Sequence, residues 1–190
     1  MDRRYAAFAV VALLFAPPAR AADTYTIDPM HSSVTFKISH LGLSWVHGRF
    51  DDVAGIFALD ANDPSKCSFE LTIKAQSVDT NNQKRDDHLR SPDFFNVKQF
   101  PQLTFKSTAV KATNGGYEVT GDMTMHGVTK SVTFPLVGGR KAEFPRGMQR
   151  TGYSTEFVLK RSDFGMDKML NAIGDDVHVA ISFEGVAKKQ

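Results

Sequence analysis

The side chains best suited to chemistry are a charged segment from Lys84 to Asp93, a single cysteine and six scattered histidines: His31, His40, His47, His88, His126 and His178. No catalytic motif accompanies them, because the sequence has no Gly-x-Ser-x-Gly elbow, no His-Glu-x-x-His helix and no phosphate-binding loop. His40 and His47 could meet across a loop, but no third or fourth metal ligand can be named. The sequence therefore predicts a protein that is not an enzyme and holds neither a metal nor a cofactor.

The charged segment has two interpretations. Arg85, His88 and Arg90 could donate hydrogen bonds to a diphosphate or to a quinone oxygen at the mouth of a pocket. Alternatively the segment is a structural helical cover, held in place by Asp86, Asp87 and Asp93. The spacing of the charges does not choose between these interpretations.

Three further residues also carry alternatives. His40 shares the phase of neighbouring apolar residues, so it could bond a ligand head group or be a core histidine bonded to a backbone carbonyl. Trp45 could stack at the mouth of a pocket or anchor its own loop. Cys67, the only cysteine, alternates with apolar residues, which favours a small buried side chain over a reactive thiol.

The first 21 residues resemble a secretory signal peptide. Two arginines precede an apolar run from Tyr5 to Ala16, and Pro17-Pro18 and Ala19-Arg20-Ala21 follow. Cleavage after Ala21 predicts export to the periplasm and leaves residues 22–190 as a single domain. Loss of three arginines and one aspartate from 23 basic and 21 acidic residues leaves 20 of each, and this balance argues against nucleic-acid binding.

An alternation of apolar and polar residues runs through nearly all of the remaining chain. Successive segments of this kind predict about eight antiparallel strands, arranged as a sandwich or a closed barrel. The segments are Ser33–His40, Val53–Leu59, Cys67–Ile73, Leu103–Phe105, Tyr117–Met125, Val128–Leu136, Tyr153–Leu159 and Val177–Phe183. Tight turns are expected at Asn114-Gly115 and His126-Gly127.

Helical signals are few. Thr80 is expected to cap a helix that ends near Leu89, with Asp86 paired to Arg90 on one face. Ser91-Pro92-Asp93 predicts a second helix start. The segment from Asp163 to Gly174 has mixed spacing, which indicates a weak helix or an irregular loop.

The strands give the predicted interior many aromatic and methionine side chains. An eight-stranded barrel can be filled by its own side chains or can hold one small apolar ligand, and periodicity alone does not separate the two cases. Aromatic residues and methionine are common where a lining must adapt to a flexible guest. The predicted ligand-binding residues are Phe36, Ile38, His40, Trp45, Phe57, Phe69, Leu71, Phe105, Met123, Met125, Phe134, Tyr153, Phe157 and Phe183.

Four stretches together resemble the YceI-like family of polyisoprenoid-binding proteins. They are "YTIDPMHSSVTFKISHLGLSWVHGRFDDVAGIF" from Tyr25, "SVDTNNQKRDDHLRSPDFFNVKQFPQLTFKST" from Ser77, "VTGDMTMHGVTKSVTF" from Val119 and "VHVAISFEGV" from Val177. The resemblance implies an all-β fold: an extended eight-stranded antiparallel lipocalin-like barrel with a short helical cover. It also implies an exported carrier or storage protein that binds one long isoprenoid-type lipid, a polyprenyl species, an isoprenoid quinone or a similar amphipathic lipid.

The resemblance further implies partners, whereas the place of the head group is argued from the residues themselves. The expected partners are an isoprenoid or other amphipathic lipid, a second copy in a homodimer and a membrane redox protein. His40, Arg85, His88 and Arg90 are the expected contacts of the head group. The alternative function is an exported interaction module with a filled core that serves a membrane redox or stress system.

Overall fold

The computed structural model describes residues 22–188, so the signal-peptide prediction lies outside the described residues. These residues form ten strands and one α-helix. The elements are β1 (Asp23–His40), β2 (Ser44–Phe50), β3 (Val53–Leu59), β4 (Ser68–Lys74), β5 (Val78–Asp79), α1 (Gln83–Arg90), β6 (Gln102–Thr113), β7 (Gly116–Met125), β8 (Val128–Glu143), β9 (Met148–Lys160) and β10 (Ile173–Lys188).

Eight of the strands close into an antiparallel barrel in the order β1-β3-β4-β6-β7-β8-β9-β10, and β10 pairs with β1 to complete it. The predicted all-β, eight-stranded, lipocalin-like fold is therefore confirmed. Both expected hairpin turns are present, since Thr113 pairs with Gly116 and Met125 with Val128. Several observed strands are longer than their apolar patterns, and β1 starts at Asp23, ten residues before the alternation becomes clear, whereas β3 has the predicted bounds Val53–Leu59.

Strands β2 and β5 extend one end of the barrel. The chain bends at Asp51-Asp52, so that β3 pairs with the first part of β1 whereas β2 pairs with its last part. A second bend at residues 75–77 makes β4 pair with β3 and β5 pair with β2. Strand β6 pairs with β4 but not with β5, so the wall opens beside β5. Helix α1 and the turns up to residue 100 lie in the chain between β5 and β6 and cover this opening.

Helix α1 differs from its prediction in three details. Its N-cap is Asn82, whose side chain accepts a hydrogen bond from the Arg85 backbone N–H, rather than Thr80. The Asp86 carboxylate accepts hydrogen bonds from the backbone and hydroxyl of Thr80, so it does not pair with Arg90. Arg90 instead contacts Asp87 at 3.2 Å.

The predicted second helix at Ser91-Pro92-Asp93 is wrong. Ser91 is the C-cap of α1, and a series of hydrogen-bonded turns follows it. The expected irregular loop before β10 is present, and it begins with a single 3-10 turn, Arg161–Phe164.

One end of the barrel is filled by aromatic side chains, which we call the aromatic plug: Tyr25, Phe57, Phe69, Tyr117, Tyr153 and Phe183. Tyr25 and Phe57 stack with ring centroids 5.1 Å apart, and Tyr153 lies 5.9 Å from Phe183. Gly185 makes this packing feasible, because a Cβ atom there would lie 2.3 Å from the Phe57 ring. The plug closes the barrel at the end that carries the Asn114-Gly115 turn.

Candidate functional site: an apolar lumen with a polar mouth

Above the aromatic plug the barrel encloses a cavity of about 630 Å³. This volume is within the range of pockets that bind small molecules, about 300–1,000 Å³. The lining is almost entirely apolar, and it extends from Phe57, Phe69 and Phe183 at the floor to His40 and Met169 at the open end. We call this cavity the lumen and its open end the mouth. The interior is therefore filled at one end and hollow at the other.

Most of the predicted ligand-binding residues line the lumen. The alternation that indicated their inward direction corresponds to the pairing register, in which Phe36 lies opposite Val179 and Val179 opposite Phe157. Phe134 and Phe157 stack with centroids 4.9 Å apart. The predicted residues that line the lumen are Phe36, Ile38, His40, Phe57, Phe69, Leu71, Phe105, Met123, Met125, Phe134, Phe157 and Phe183.

Two predicted lining residues do not reach the lumen. Tyr153 points inward but is buried within the aromatic plug, where burial raises the pKa of its phenol. Trp45 does not line the lumen and lies on the outer face of β2, since its neighbour Val46 lines the lumen opposite the inward-facing Ile38. There the Trp45 ring contacts the His178 ring edge-on at 5.0 Å. The Lys37 ammonium lies 5.0 Å from the centre of the same ring.

The sequence analysis missed two groups of lining residues. Val46 and Phe50 lie on β2, whose alternation at Val46, Gly48 and Phe50 was present in the sequence and could have revealed the strand. The second group comes from the cover, which places Leu89, Phe94 and Phe95 against the lumen. Phe95 contacts Phe50 edge-on at 5.5 Å. No strand periodicity marks the cover residues, because they lie in a helix and in turns.

Three of the four predicted head-group residues gather at the mouth: His40, Arg85 and His88 line it, and all are exposed. Arg85 is oriented by Thr80, to which its guanidinium donates two hydrogen bonds of 2.7 Å. His88 Nε2 lies 3.0 Å from Asp93 Oδ2. This contact, together with the Lys168 ammonium, lowers the pKa of Asp93. The mouth thus offers polar groups of both signs beside an apolar interior.

Arg90 does not belong to this group. Its guanidinium donates to the backbone carbonyls of Gln76 and Val78, at 2.9 and 2.7 Å. Arg90 therefore ties the cover to β5 and does not line the lumen. These contacts favour the structural interpretation of the charged helix at Arg90 over the predicted contact with a head group.

A buried arginine shapes the opposite side of the mouth. Arg161 is 4% exposed and donates hydrogen bonds to the carbonyls of Met166, Lys168, Ile173 and Gly174, at 2.7 to 2.9 Å. Burial lowers the pKa of its guanidinium. Because one planar guanidinium donates hydrogen bonds to four carbonyls, Arg161 holds the loop before β10 in a single conformation. Nothing in the sequence pattern distinguished Arg161 from an ordinary surface residue.

Two other groups bear on chemistry. Cys67 is buried, and its sulfur accepts a hydrogen bond from the Asp60 backbone, as expected for a small core residue. Asp28, His31 and Glu184 place their side-chain atoms close enough to surround an ion. However, the Arg150 guanidinium already lies 2.7 Å from Asp28 and 3.1 Å from Glu184. The positive charge in this cluster is supplied by the protein itself.

Among residues 22–188, no helix is both long and apolar enough to cross a membrane.

Comparison with known proteins gives consistent matches. The family model described as the YceI-like domain matches residues 25–185. The chain is 40% identical over 191 residues to Protein YceI of Salmonella arizonae and to Protein YceI of Salmonella enteritidis, covering 100% of both chains in each case.

Solved structures show the same fold. A YceI protein of Campylobacter jejuni has a TM-score of 0.70 and 32% identity, with 80% of this chain and 90% of that chain covered. BcnA of Burkholderia cenocepacia has a TM-score of 0.75 at 23% identity, covering 83% and 98%. A domain from Saccharophagus degradans, described as polyisoprenoid-binding, has a TM-score of 0.64 at 17% identity, covering 86% and 98%.

Proposed function

Because the chain belongs to the YceI-like family, we propose that it is an exported carrier or storage protein that holds one isoprenoid-type lipid in the lumen. The observation that carries this proposal is the cavity itself: about 630 Å³ of almost wholly apolar space, closed by aromatic rings at one end and open at the other. A filled core would need no such space. The Saccharophagus domain described as polyisoprenoid-binding supports the same assignment at the level of the fold.

The size of the lumen sets the length of tail that it can cover. At the packing density of a protein interior, a non-hydrogen atom occupies about 20 Å³, so the lumen holds about 30 such atoms. This corresponds to about six isoprene units. A longer tail would leave some methylene groups near the mouth, and a much shorter one would leave part of the lumen empty.

The distribution of polar groups sets the orientation of the lipid. The floor of the lumen is formed by aromatic rings, and the exposed polar side chains of His40, Arg85 and His88 lie at the mouth. A quinone ring or a diphosphate would keep its hydrogen bonds only at the mouth, because an unpaired polar group in the apolar floor is costly. The tail therefore enters first and the head stays with these three residues.

The export of the protein is part of the same proposal. The N-terminal segment has the features of a secretory signal, and the periplasm is an aqueous space in which a long isoprenoid needs a carrier. A membrane redox partner and a homodimer, the partners that the family resemblance implies, are both compatible with this role.

The test compares the two faces of one strand. Phe157 on β9 lines the lumen, whereas its neighbour Val158 is 53% exposed on the outer face. Phe157→Asp is expected to abolish lipid retention and Val158→Asp to leave it unchanged. Met123→Gln, which keeps nearly the same side-chain length in the lumen, provides a milder lumen variant in case the first does not fold.

Lipid retention is measured by native mass spectrometry of the exported protein, followed by organic extraction and mass analysis. Circular dichroism confirms that each variant is folded. We expect a stoichiometric isoprenoid on the wild type and on Val158→Asp only. The proposal fails if the wild type is empty and also refuses added polyprenyl alcohols of about four to eight isoprene units. It fails equally if folded lumen variants retain as much lipid as the wild type.

A further inference from the structure

We propose that the mouth docks on the surface of a lipid bilayer through an apolar rim formed by Leu41, Leu43, Met169 and Leu170. The inference deepens the proposed function, on which it rests in part, because it names the surface from which the lumen is loaded and to which it is emptied. The arrangement of two loops supports this docking, and that arrangement does not depend on the identity of the lipid.

The two loops are joined at the same end of the barrel. One connects β1 to β2, and the other precedes β10. His40 at the end of β1 pairs with Ile173 at the start of β10, and the Leu41 backbone N–H donates to the Ala172 carbonyl at 2.7 Å. Met169 both lines the lumen and belongs to the second loop. The rim is thus continuous with the apolar interior.

The rim exposes large apolar side chains that the fold does not need on its surface. Leu43 is 84% exposed and Leu41 56%, while Met169 and Leu170 are 42% and 44% exposed. Scattered exposed apolar residues are normal, but a group of four on two joined loops around a cavity opening is typical of an interaction site.

Two of these residues have backbone conformations that their residue types rarely adopt. Leu41 has a φ of +54° and Met169 a φ of +59°, in the left-handed region that favours glycine or asparagine. Leucine and methionine are disfavoured in this region, so each of them lowers the stability of the fold relative to glycine or asparagine at the same position. Contact of these side chains with another molecule would explain why leucine and methionine occupy these positions.

A bilayer fits this rim better than a protein partner does. During transfer, each methylene of the isoprenoid that is exposed to water makes that intermediate about fourfold less populated. A carrier must therefore bring its mouth close to an apolar phase. A rim that seats in the interfacial region of a bilayer removes most of that aqueous gap. A protein partner would need to supply an equivalent apolar channel, and nothing on the rim indicates one.

The charges near the mouth indicate which lipid surface is suitable. Lys84 and Arg85 line the same opening as His40 and His88, whereas Lys168 contacts Asp93 at 3.5 Å and Asp167 lies next to Lys168 in the chain. Among the described residues at the mouth, Lys84, Arg85 and Lys168 are mixed with Asp93 and Asp167, and they are fewer than the cluster of about four to eight lysines and arginines that selects anionic head groups. We expect docking on neutral phosphatidylcholine, with little dependence on salt concentration.

The experiment is flotation of the mature protein with phosphatidylcholine vesicles. The test variant combines Leu43→Asp with Leu170→Asp, two exposed rim positions. The control is Val137→Asp, since Val137 is also exposed, at 63%, but lies near the Asn114-Gly115 turn at the plugged end. We expect the vesicle-bound fraction to fall about tenfold or more in the rim variant and to stay unchanged in the control.

Native mass spectrometry of the same samples separates this inference from the proposed function. A wild type that carries lipid but does not float, or a rim variant that floats like the wild type, overturns the docking inference alone. A wild type without any isoprenoid overturns the proposed function whatever the flotation result. Light scattering tests the other occupant: a dimer that the rim variant dissociates, with vesicle binding unchanged, would assign the rim to a second copy.

Discussion

Filling the lumen with protein should expel the lipid without unfolding the barrel. Val179 on β10 lines the lumen between Phe36 and Phe157 on the neighbouring strands. Val179→Trp adds about seven non-hydrogen atoms, which at interior packing density need about 140 Å³. The lumen offers about 630 Å³, so the indole can be accommodated without displacing its neighbours. Overpacking, the usual penalty of a small-to-large change in a full core, should be small here.

The expected loss of affinity follows from the displaced atoms. If the indole displaces about seven carbons of the tail, the loss is about 2 kcal/mol at the roughly 0.3 kcal/mol per atom typical of large ligands. That loss corresponds to about thirtyfold weaker binding. Full hydrophobic transfer at about 0.8 kcal/mol per methylene would give an upper bound of about 6 kcal/mol.

The assay is competition for a polyprenyl alcohol between the wild type and the variant, with bound lipid quantified by native mass spectrometry. Val158→Trp is the matched control, because it places the same side chain on the outer face of β9, opposite His178. The thermal midpoint of lipid-free Val179→Trp should equal or exceed that of the lipid-free wild type. Equal lipid binding by a folded Val179→Trp would refute the assignment of the lumen as the binding site.

Two further predictions concern stability. Thr155 is 5% exposed, and its hydroxyl has no hydrogen-bond partner among the described residues. Thr155→Val should therefore be neutral or raise the free energy of unfolding by up to about 1 kcal/mol in urea titrations, whereas a loss above about 1 kcal/mol would show that the hydroxyl is satisfied. Hydrogen bonds from Arg150 and then His31 lower the pKa of Asp28 from 3.8 to about 2. This contribution to stability is present above about pH 4 and is lost as pH falls through 2, so Asp28→Asn should flatten the acid-unfolding curve in that window. An acid-unfolding curve of Asp28→Asn identical to that of the wild type would contradict this contribution of Asp28.

The strands of the barrel could be predicted because a period of two is a local property of the sequence. Strand β4, for example, shows its inward Phe69, Leu71 and Ile73 directly in the sequence. The ends of the strands could not be predicted in this way. The first part of β1 contains Pro29 and an irregularity between Asp28 and Ser33, so its alternation is interrupted although the pairing continues on both sides.

The mouth was predictable only in part, because its residues are positioned by contacts distant in sequence. Arg85 and Arg90 are chemically identical and five residues apart on one helix. Arg85 is oriented by Thr80 and lines the mouth, whereas Arg90 reaches the carbonyls of Gln76 and Val78. Spacing along the chain cannot distinguish them, since the difference lies in where β5 runs relative to α1.

The division of the interior into plug and lumen could not be predicted for the same reason. Tyr153 and Phe157 share one face of β9, yet Tyr153 packs against four other aromatic rings and Phe157 borders open space. What separates them is the wall around each residue: beside Tyr153 all neighbouring strands are paired, while towards the mouth the sheet opens at β5 and a helical cover replaces it. A cover without a continuous ladder of strand hydrogen bonds can move more readily than the plug. Exchange of lipid should therefore occur at the mouth, and hydrogen exchange of α1 should be faster than that of the strands around Tyr153. Equal protection of the two regions would mean that the lipid enters without movement of the cover.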